Sequence, residues 1–351
     1  MSEQTPGAGA EWLKNEGPSS DVVMSSRVRL ARNFAGFPFV NRAKREDRTQ
    51  IMAMAEHHIL QAQIAPEILW VDLLELPEIE RLVLVERHLI SAQHAKGDEP
   101  RGLAVSNPDE RLAIMVNEED HLRIQCMRSG LCLTDVYREI DQVDDRIESH
   151  VDYAFSPRFG YLAACPTNVG TGIRVSVMLH LPALKLTGEL EKVRRAARAM
   201  NLAIRGFYGE GSEAAGDFFQ ISNQTTLGKT EEQIVMDFEQ NLIPKIIEYE
   251  RLARQKLISK RRVMLEDRVY RALGTLRHAR LLRAEEALEF LSYVRVGIAL
   301  GLIEDVEMEA VNRLVLLTQP AHLQKVLHQE LNQARRRIER AALVRKYLAP
   351  S

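Results

Sequence analysis

Ser25-Ser-Arg-Val-Arg-Leu30 alternates polar and apolar side chains. Period-2 pleating puts Arg27 and Arg29 on one face of a strand and Val28 and Leu30 on the other. Two guanidinium groups on one face repel unless an anion lies between them. The pattern recurs outward along the chain. In His121-Leu-Arg-Ile-Gln-Cys126 the apolar Leu122, Ile124 and Cys126 point one way and Arg123 the other. Ile173, Val175, Val177, Leu179 and Leu181 isolate Arg174 in the same manner, and Arg205 sits in a short segment near Leu202 to Phe207. Strands that each offer one inward guanidinium form a cradle for a polyphosphate, because the planar fork matches phosphate oxygens bidentately. Any one of these arginines alone reads more readily as a strand-edge charge or half of a structural ion pair. Their repetition on otherwise apolar strands favours the cradle.

The chain has 351 residues, 45% hydrophobic and 27% charged, enough for a sizeable core and a prior of two domains. Lys and Arg (47) nearly balance Asp and Glu (49), for a formal net charge of −2. That balance argues against nucleic acid or an anionic membrane as the main partner. No apolar run approaches the roughly 20 residues of a membrane span, and residues 1–17 lack a signal-peptide core. Cys126, Cys132 and Cys165 have no metal-ligand spacing and leave an odd thiol under any pairing, as in a reducing, cytoplasmic setting.

Residues 1–20 read as a loose, flexible arm carrying Trp12. Arg45 to Gln63 has a helical pattern ending before Pro66. Strand-like texture follows at Arg81 to Arg87, Arg101 to Val105, Arg111 to Asn117 and His121 to Met127, with an acidic turn, Glu118-Glu-Asp120, between the last two. Helices are expected over Thr134 to Ser149 and Gly188 to Met200. Gly206 to Gly216 holds four glycines and reads as a loop. A capping box, Thr230 with Gln233, opens a helix that runs past Pro244 and bends there. Beyond Arg254 strand signals vanish, and Leu323, Val326, Leu327 and Leu331 recur at helical spacing.

Acids accompany the arginines: Glu118, Glu119 and Asp120 in the turn, Glu210 and Glu213 in the glycine loop. Paired acids beside a phosphate cradle suit a cationic second substrate. A guanidinium, with a pKa of about 13.8, must lose a proton as it attacks a phosphoryl group, which calls for a carboxylate base. The bland alternative is a solvated acidic turn. Cys165 opens Cys165-Pro-Thr-Asn-Val-Gly-Thr-Gly172, where a turn and nearby guanidinium groups favour thiolate.

Ser25-Ser-Arg-Val-Arg29, Asn117-Glu-Glu-Asp-His-Leu-Arg123, Cys165-Pro-Thr-Asn-Val-Gly-Thr-Gly172 and Arg205-Gly-Phe-Tyr-Gly-Glu-Gly-Ser-Glu213 resemble four signatures of the ATP:guanidino phosphotransferases, the creatine and arginine kinase superfamily. Ser26 to Asn33, Val177 to Leu184 and Tyr208 to Glu213 resemble its bacterial protein-arginine kinase branch. The likeness spans roughly residues 12–348. It implies an α+β fold: an antiparallel β-sheet catalytic domain flanked by helices, residues 21–254, and a small all-helical regulatory or dimerisation domain, residues 255–351. It also implies that ATP, with Mg²⁺ held mainly through its phosphates and no metal bound by the protein, meets Ser25, Ser26, Arg27, Val28, Arg29, His88, Arg123, the stretch Arg174, Val175, Ser176, Val177 and Met178, and the stretch Arg205, Gly206, Phe207, Tyr208, Gly209 and Glu210. Glu119 is the implied base, Glu213 the holder of the other guanidinium nitrogens and Cys165 a thiolate beside them. Tyr208 stands where small-molecule kinases carry another arginine, a change shared with the protein-arginine kinases.

Those small-molecule enzymes carry a helical domain before the first motif, whereas 24 residues precede Ser25 here, so a cleft open to an arginine on a protein surface is expected. The protein-arginine kinase tail carries an Arg-Asp-x-x-Arg-Ala phosphoarginine-docking motif. The corresponding Arg336-Arg-Ile-Glu-Arg-Ala341 has Arg337 in place of Asp, while Arg336 and Arg340 stay one helical turn apart. The implied activity is transfer of the ATP γ-phosphate to arginine side chains of proteins. The alternatives are a kinase for free arginine or another small guanidine, and a non-catalytic phosphoarginine or chaperone adaptor. Family partners comprise heat-shock repressors, a zinc-containing activator and a Clp-type unfoldase, with homodimerisation also implied.

Overall fold

A computed structural model describes residues 10–207 and 215–349. Its centre is one eight-stranded antiparallel sheet built from β1 (Val23–Arg32), β2 (Ile68–Asp72), β3 (Gly102–Ser106), β4 (Leu112–Val116), β5 (Leu122–Ser129), β8 (Ile173–His180), β9 (Leu202–Arg205) and β10 (Phe218–Asn223). A two-stranded hairpin, β6 (Phe155–Ser156) and β7 (Gly160–Tyr161), stands apart. The strand order in the sheet is β2-β3-β4-β5-β1-β8-β10-β9. This places β1, the strand that opened the sequence reading, at the centre between β5 and β8.

The alternation expected of β1 is realised. Val28 and Leu30 are fully buried in the main core, each worth about 1.5–3 kcal/mol by burial, together with Leu122, Ile124 and Cys126 of β5 and Ile173, Val175 and Val177 of β8. The helix Leu133–Glu148 covers this face, packing Val136, Ile140, Val143 and Ile147 against it. On the opposite face a smaller cluster, including Leu84, Leu89, Leu103, Val105 and Met115, fills the β2-to-β4 end. The arginine face of β1, β5 and β8 lies beside it.

Three local expectations change. Arg81 to Arg87 is not a strand but part of the helix Glu78–Glu86. The short run Leu82 to Val85 fits either period, and Pro77 at the N-cap with Glu78 and Glu80 in the first turn favours the helix. Strands β2 and β10, absent from the sequence reading, complete the sheet. From Ala10 onward the N-terminal segment is not a loose arm: Glu11–Leu13 forms a 3₁₀ turn that buries Trp12 and Leu13 in the main core.

The Thr230 capping box is present, and the helix it opens passes through a π-helical stretch, Asp237–Leu242, just before Pro244. That wider turn is where the missing proline N–H is accommodated. The helix Ile243–His278 then continues with a break at Arg261 (φ −140°, ψ 35°). Four further helices follow: Ala284–Ala299, Met308–Leu317, Pro320–Leu327 and Gln333–Tyr347. Their apolar residues, Leu288, Leu291, Val311, Leu314 and Val344 among them, join the same core as the sheet. No helix among the described residues is long and apolar enough to cross a membrane.

Candidate active site

The strand register converts one-per-strand arginines into a cluster. Arg29 lies opposite Arg174 on β8 and Gln125 on β5, Arg27 lies opposite Ser176, and Arg205 lies opposite Gln220 on β10. Arg27, Arg29, Arg123, Arg174 and Arg205 all line one cleft of about 560 Å³, together with His88, Glu118, Glu119, Cys165, Asn168 and Gln220. Because β1 and β8 are interior strands, the backbone hydrogen bonds of Ser25 to Arg29 and Arg174 to Met178 are engaged in the sheet. What these stretches offer a ligand is therefore alternate side chains. Val28, Val175 and Val177 turn into the core, and Ser26 Oγ donates to Gly130 O (2.8 Å).

Neutral acceptors and like charges surround Arg27 and Arg29. Arg27 Nη2 donates to Gln220 Oε1 (2.9 Å) and its Nε to Ser176 Oγ (3.3 Å), both neutral acceptors. Burial, then Arg123 and Arg205, push the Arg27 pKa down to about 10. Arg29 is pushed well down by burial and by Arg27, Arg123 and Arg174. Its Nε and Nη2 are buried with no hydrogen-bond partner among the described residues. Arg174 donates to Asn223 O (2.9 Å) and Asn168 Oδ1 (3.1 Å). Arg123 pairs with a carboxylate, Glu118 Oε2 at 2.8 Å. A buried guanidinium with orphaned donors among its own kind is a seat for an anion with several oxygens.

The Asn117–Arg123 motif separates into distinct jobs. Asn117 takes the left-handed backbone (φ 62°) that turns β4 into β5, and its amide donates to Arg48 O and Pro100 O. Burial would raise the Glu118 carboxyl, but Arg123, Ser91 Oγ (2.6 Å) and the Glu119 N–H outweigh it and hold its pKa at about 2. Glu119 is exposed toward the cleft, where its Oε2 accepts from Asn168 Nδ2 at 3.2 Å. Asp120 is buried and accepts from Asn33 Nδ2 and from Ala164 N, both at 2.7 Å, which pins the turn that carries Cys165. Cys165 Sγ lies 3.1 Å from Thr167 Oγ1 at the cleft wall.

Asn168, which sequence reading passed over inside the Cys165 motif, bridges Glu119 to Arg174. Glu118, Ser176 and Gln220 were likewise not singled out as partners of the arginines. Strand alternation could have placed Ser176 two residues after Arg174 on the same face; the Asn168 contact depends on loop geometry that no periodicity encodes.

At the far end of the cleft, His88 (φ 61°) is half-buried in an aromatic cluster with Trp12 (5.0 Å between ring centroids) and Phe207 (5.2 Å). Burial and Arg27 drive its pKa down to about 3, so the ring is neutral. Gln125 Nε2 donates to His88 O (2.7 Å), tying this loop to the arginine face. Gly206 follows β9, but Tyr208, Gly209, Glu210 and Glu213 lie outside the described residues.

The tail motif departs from expectation. Arg340 is 3% exposed and donates to the carbonyls of Thr318, Leu282 (3.0 Å) and Arg336, tying its helix to the end of Met308–Leu317 and to the loop before Ala284–Ala299. Ala341 is buried, and the Arg337 carbonyl accepts from Leu282 N. Arg336 donates to Leu331 O. Arg340 thus faces carbonyls in the interior, one helical turn from Arg336.

Comparison with known proteins follows these divisions. Residues 50–253 match the family described as ATP:guanido phosphotransferase, C-terminal catalytic domain, and residues 262–351 match the protein-arginine kinase McsB C-terminal domain. Protein-arginine kinase of Geobacillus stearothermophilus is 46% identical over 97% of this chain and 94% of its own length. That of Bacillus subtilis (strain 168) is 43% identical over 97% and 93%. Among solved structures, the duplicated taurocyamine kinase from Schistosoma mansoni superposes with a TM-score of 0.59 at 28% identity, over 67% of this chain and 34% of that one. Lombricine kinase superposes at 0.57 and 25%, over 71% of each. A guanidinium cradle across an antiparallel sheet faced by an acidic turn, a helical tail that matches the protein-arginine kinase C-terminal domain, and 46% identity over nearly the whole chain place it in the ATP:guanido phosphotransferase family, within its protein-arginine kinase branch.

Proposed function

We propose that the protein transfers the γ-phosphate of ATP to arginine side chains of protein substrates. The observation that carries this reading is the buried Arg29 guanidinium, with two donors orphaned beside Arg27, Arg123 and Arg174, across one cleft from the exposed Glu119 carboxylate. Such a face fits a triphosphate. Arg27, Arg29, Arg123, Arg174 and Arg205 grip the phosphate oxygens and neutralise the charge that spreads over the transferring group. Mg²⁺ bound to those phosphates supplies further charge neutralisation. His88, neutral and edge-on to both Trp12 and Phe207, is suited to the base end of the nucleotide.

At the acidic end Glu119 accepts a proton from the incoming guanidinium as its nitrogen attacks the γ-phosphorus and the bond from that phosphorus to the β,γ-bridging oxygen breaks, releasing ADP. Asn168 holds Glu119 and Arg174 in fixed relation, so that base and phosphate clamp are aligned as one unit. Cys165 forms the neighbouring wall of the guanidinium slot, with Glu213 assigned to the same slot by resemblance. Residues 21–254 would act as the catalytic unit and 255–351 as a regulatory or dimerisation unit, a division supported by the break at Arg261 and by the two family matches ending and starting at 253 and 262. A cytoplasmic homodimer working with a heat-shock repressor, a zinc-containing activator and a Clp-type unfoldase is the setting that the resemblance supplies.

The test is mass spectrometry of a basic protein incubated with ATP and the full chain, with free arginine in parallel. Acid-labile phosphate on protein arginine is the expected result; phosphate on free arginine alone would replace the reading with a small-guanidine kinase. Glu119→Gln should lower turnover about 10²–10⁴-fold with ATP affinity unchanged. Equal loss of both would remove Glu119 from the role of base.

A further inference from the structure

The loop that carries Cys165 and Asn168 has a second side. Across it from the cleft lies a groove of about 680 Å³ whose walls include Tyr137, Phe155, Phe159, Tyr161, Glu231 and Glu232. The two cavities share a thin partition. Gly170 exchanges both backbone hydrogen bonds with Tyr161 (2.8 and 3.1 Å), and Thr226 Oγ1 donates to Thr167 O and Val169 O.

The groove combines two features that recognise a cation. Phe155 and Phe159 are 56% and 47% exposed on the β6–β7 hairpin, with Phe155 edge-on to Tyr161 at 5.3 Å. This aromatic set already takes guanidinium groups: Arg32 Cζ lies 3.6 Å from the Tyr161 ring centroid and Arg158 Cζ lies 5.0 Å from that of Phe159. Carboxylates also crowd beneath it. Glu231 is pushed up by burial and by Asp144, and Asp141 by burial, Asp145 and Asp144, although Arg32 pairs with Asp144 and Glu231. Lys229, a cation in the groove wall, is paired with Asp237. Exposed aromatic faces over excess negative charge suit a basic side chain and reject an acidic one.

We propose that this groove receives a lysine or arginine side chain flanking the target arginine of a polypeptide substrate, and so sets a preference for basic sequence context. The inference rests on the protein-directed activity proposed above. An extended chain advances about 3.3–3.6 Å per residue, so side chains two to four residues from the target lie roughly 7–14 Å from it, and these are the positions offered to the groove. Phe155 and Glu232 make the contact from the two rims, and both are exposed, so their replacement leaves the core and the arginine cleft intact.

The experiment uses the full chain, ATP and two synthetic peptides sharing one target arginine, with either neutral flanks or a lysine three residues away on each side. The lysine peptide should have a kcat/KM about five- to tenfold higher, expressed in KM, as one exposed cation–π contact and one exposed ion pair would give. Phe155→Ala and Glu232→Lys should each bring the ratio close to one while turnover of the neutral peptide stays as in the parent. A ratio near one in the parent, or one that survives in either variant, overturns the proposal. Absence of phosphoarginine on both peptides would instead overturn the substrate reading on which it depends.

Discussion

Arg29→Met isolates the feature on which the phosphate cradle rests. In the ligand-free protein Arg29 is a buried cation whose Nε and Nη2 have no acceptor among the described residues and whose neighbours Arg27, Arg123 and Arg174 carry the same charge. A basic group whose folded pKa is depressed makes the folded state less stable at every pH where the unfolded chain holds it charged. Methionine keeps the unbranched stem and removes the charge. Replacing uncompensated buried charge by apolar volume is worth about 1–4 kcal/mol, so the ligand-free variant should melt roughly 2–6 °C higher than the parent. Nucleotide binding should move oppositely. Each orphaned donor bonded to an anionic oxygen contributes about 1.5–3 kcal/mol, and losing two weakens ATP binding by about 10²–10⁴-fold. At ATP near 100 times the parent Kd, ligand stabilisation is about 2.7 kcal/mol, and a 10²-fold weaker variant retains about 0.4 kcal/mol. Thermal melts with and without ATP read both effects on one instrument. A variant that melts lower than the parent without ATP, or keeps the full ATP-induced shift, would refute the assignment of Arg29 as an anion seat.

Asn168→Ala cuts the bridge between Glu119 and Arg174 and should lower kcat about tenfold or more with a smaller change in ATP affinity, whereas Asn168→Asp should not rescue it, because Nδ2 is the donor to Glu119; steady-state kinetics decide this. Glu118, with its folded pKa held at about 2 against an ordinary 4.5, contributes stability that is complete above pH 4.5 and lost as pH falls toward 2. Denaturant unfolding of Glu118→Gln across that interval should show a shallower loss than the parent, and a parallel loss would contradict the pairing with Arg123. At neutral pH the same variant leaves Arg123 without its carboxylate and should lower thermal stability by about 1–3 kcal/mol, measured by denaturant midpoint.

How much could be read from the sequence follows from where each contact's information resides. Strand alternation is a local property, so Arg27, Arg29, Arg123 and Arg174 were assignable to one kind of face before any register was known. Their convergence needed β1 at the sheet centre with Arg29 opposite Arg174, a pairing between residues 145 positions apart that the resemblance supplied and periodicity could not. The misreading of Arg81 to Arg87 has a different cause, because a four-residue apolar run satisfies a strand face and a helix turn equally. Trp12 was taken for an arm residue because its polar, glycine-containing surroundings resemble a linker, yet its ring packs against both His88 and Phe207. The Arg336–Ala341 segment shows the limit most sharply. Two arginines one turn apart on a helix look like a grip for phosphate, but whether a guanidinium faces solvent or the ends of neighbouring helices is decided by packing, and here Arg340 is drawn inward by the carbonyls of Thr318 and Leu282. Any anion that docks on this tail must therefore compete with those carbonyls for Arg340 or bind without it, which makes Arg336 and Arg337 the side chains through which such a partner would first be felt.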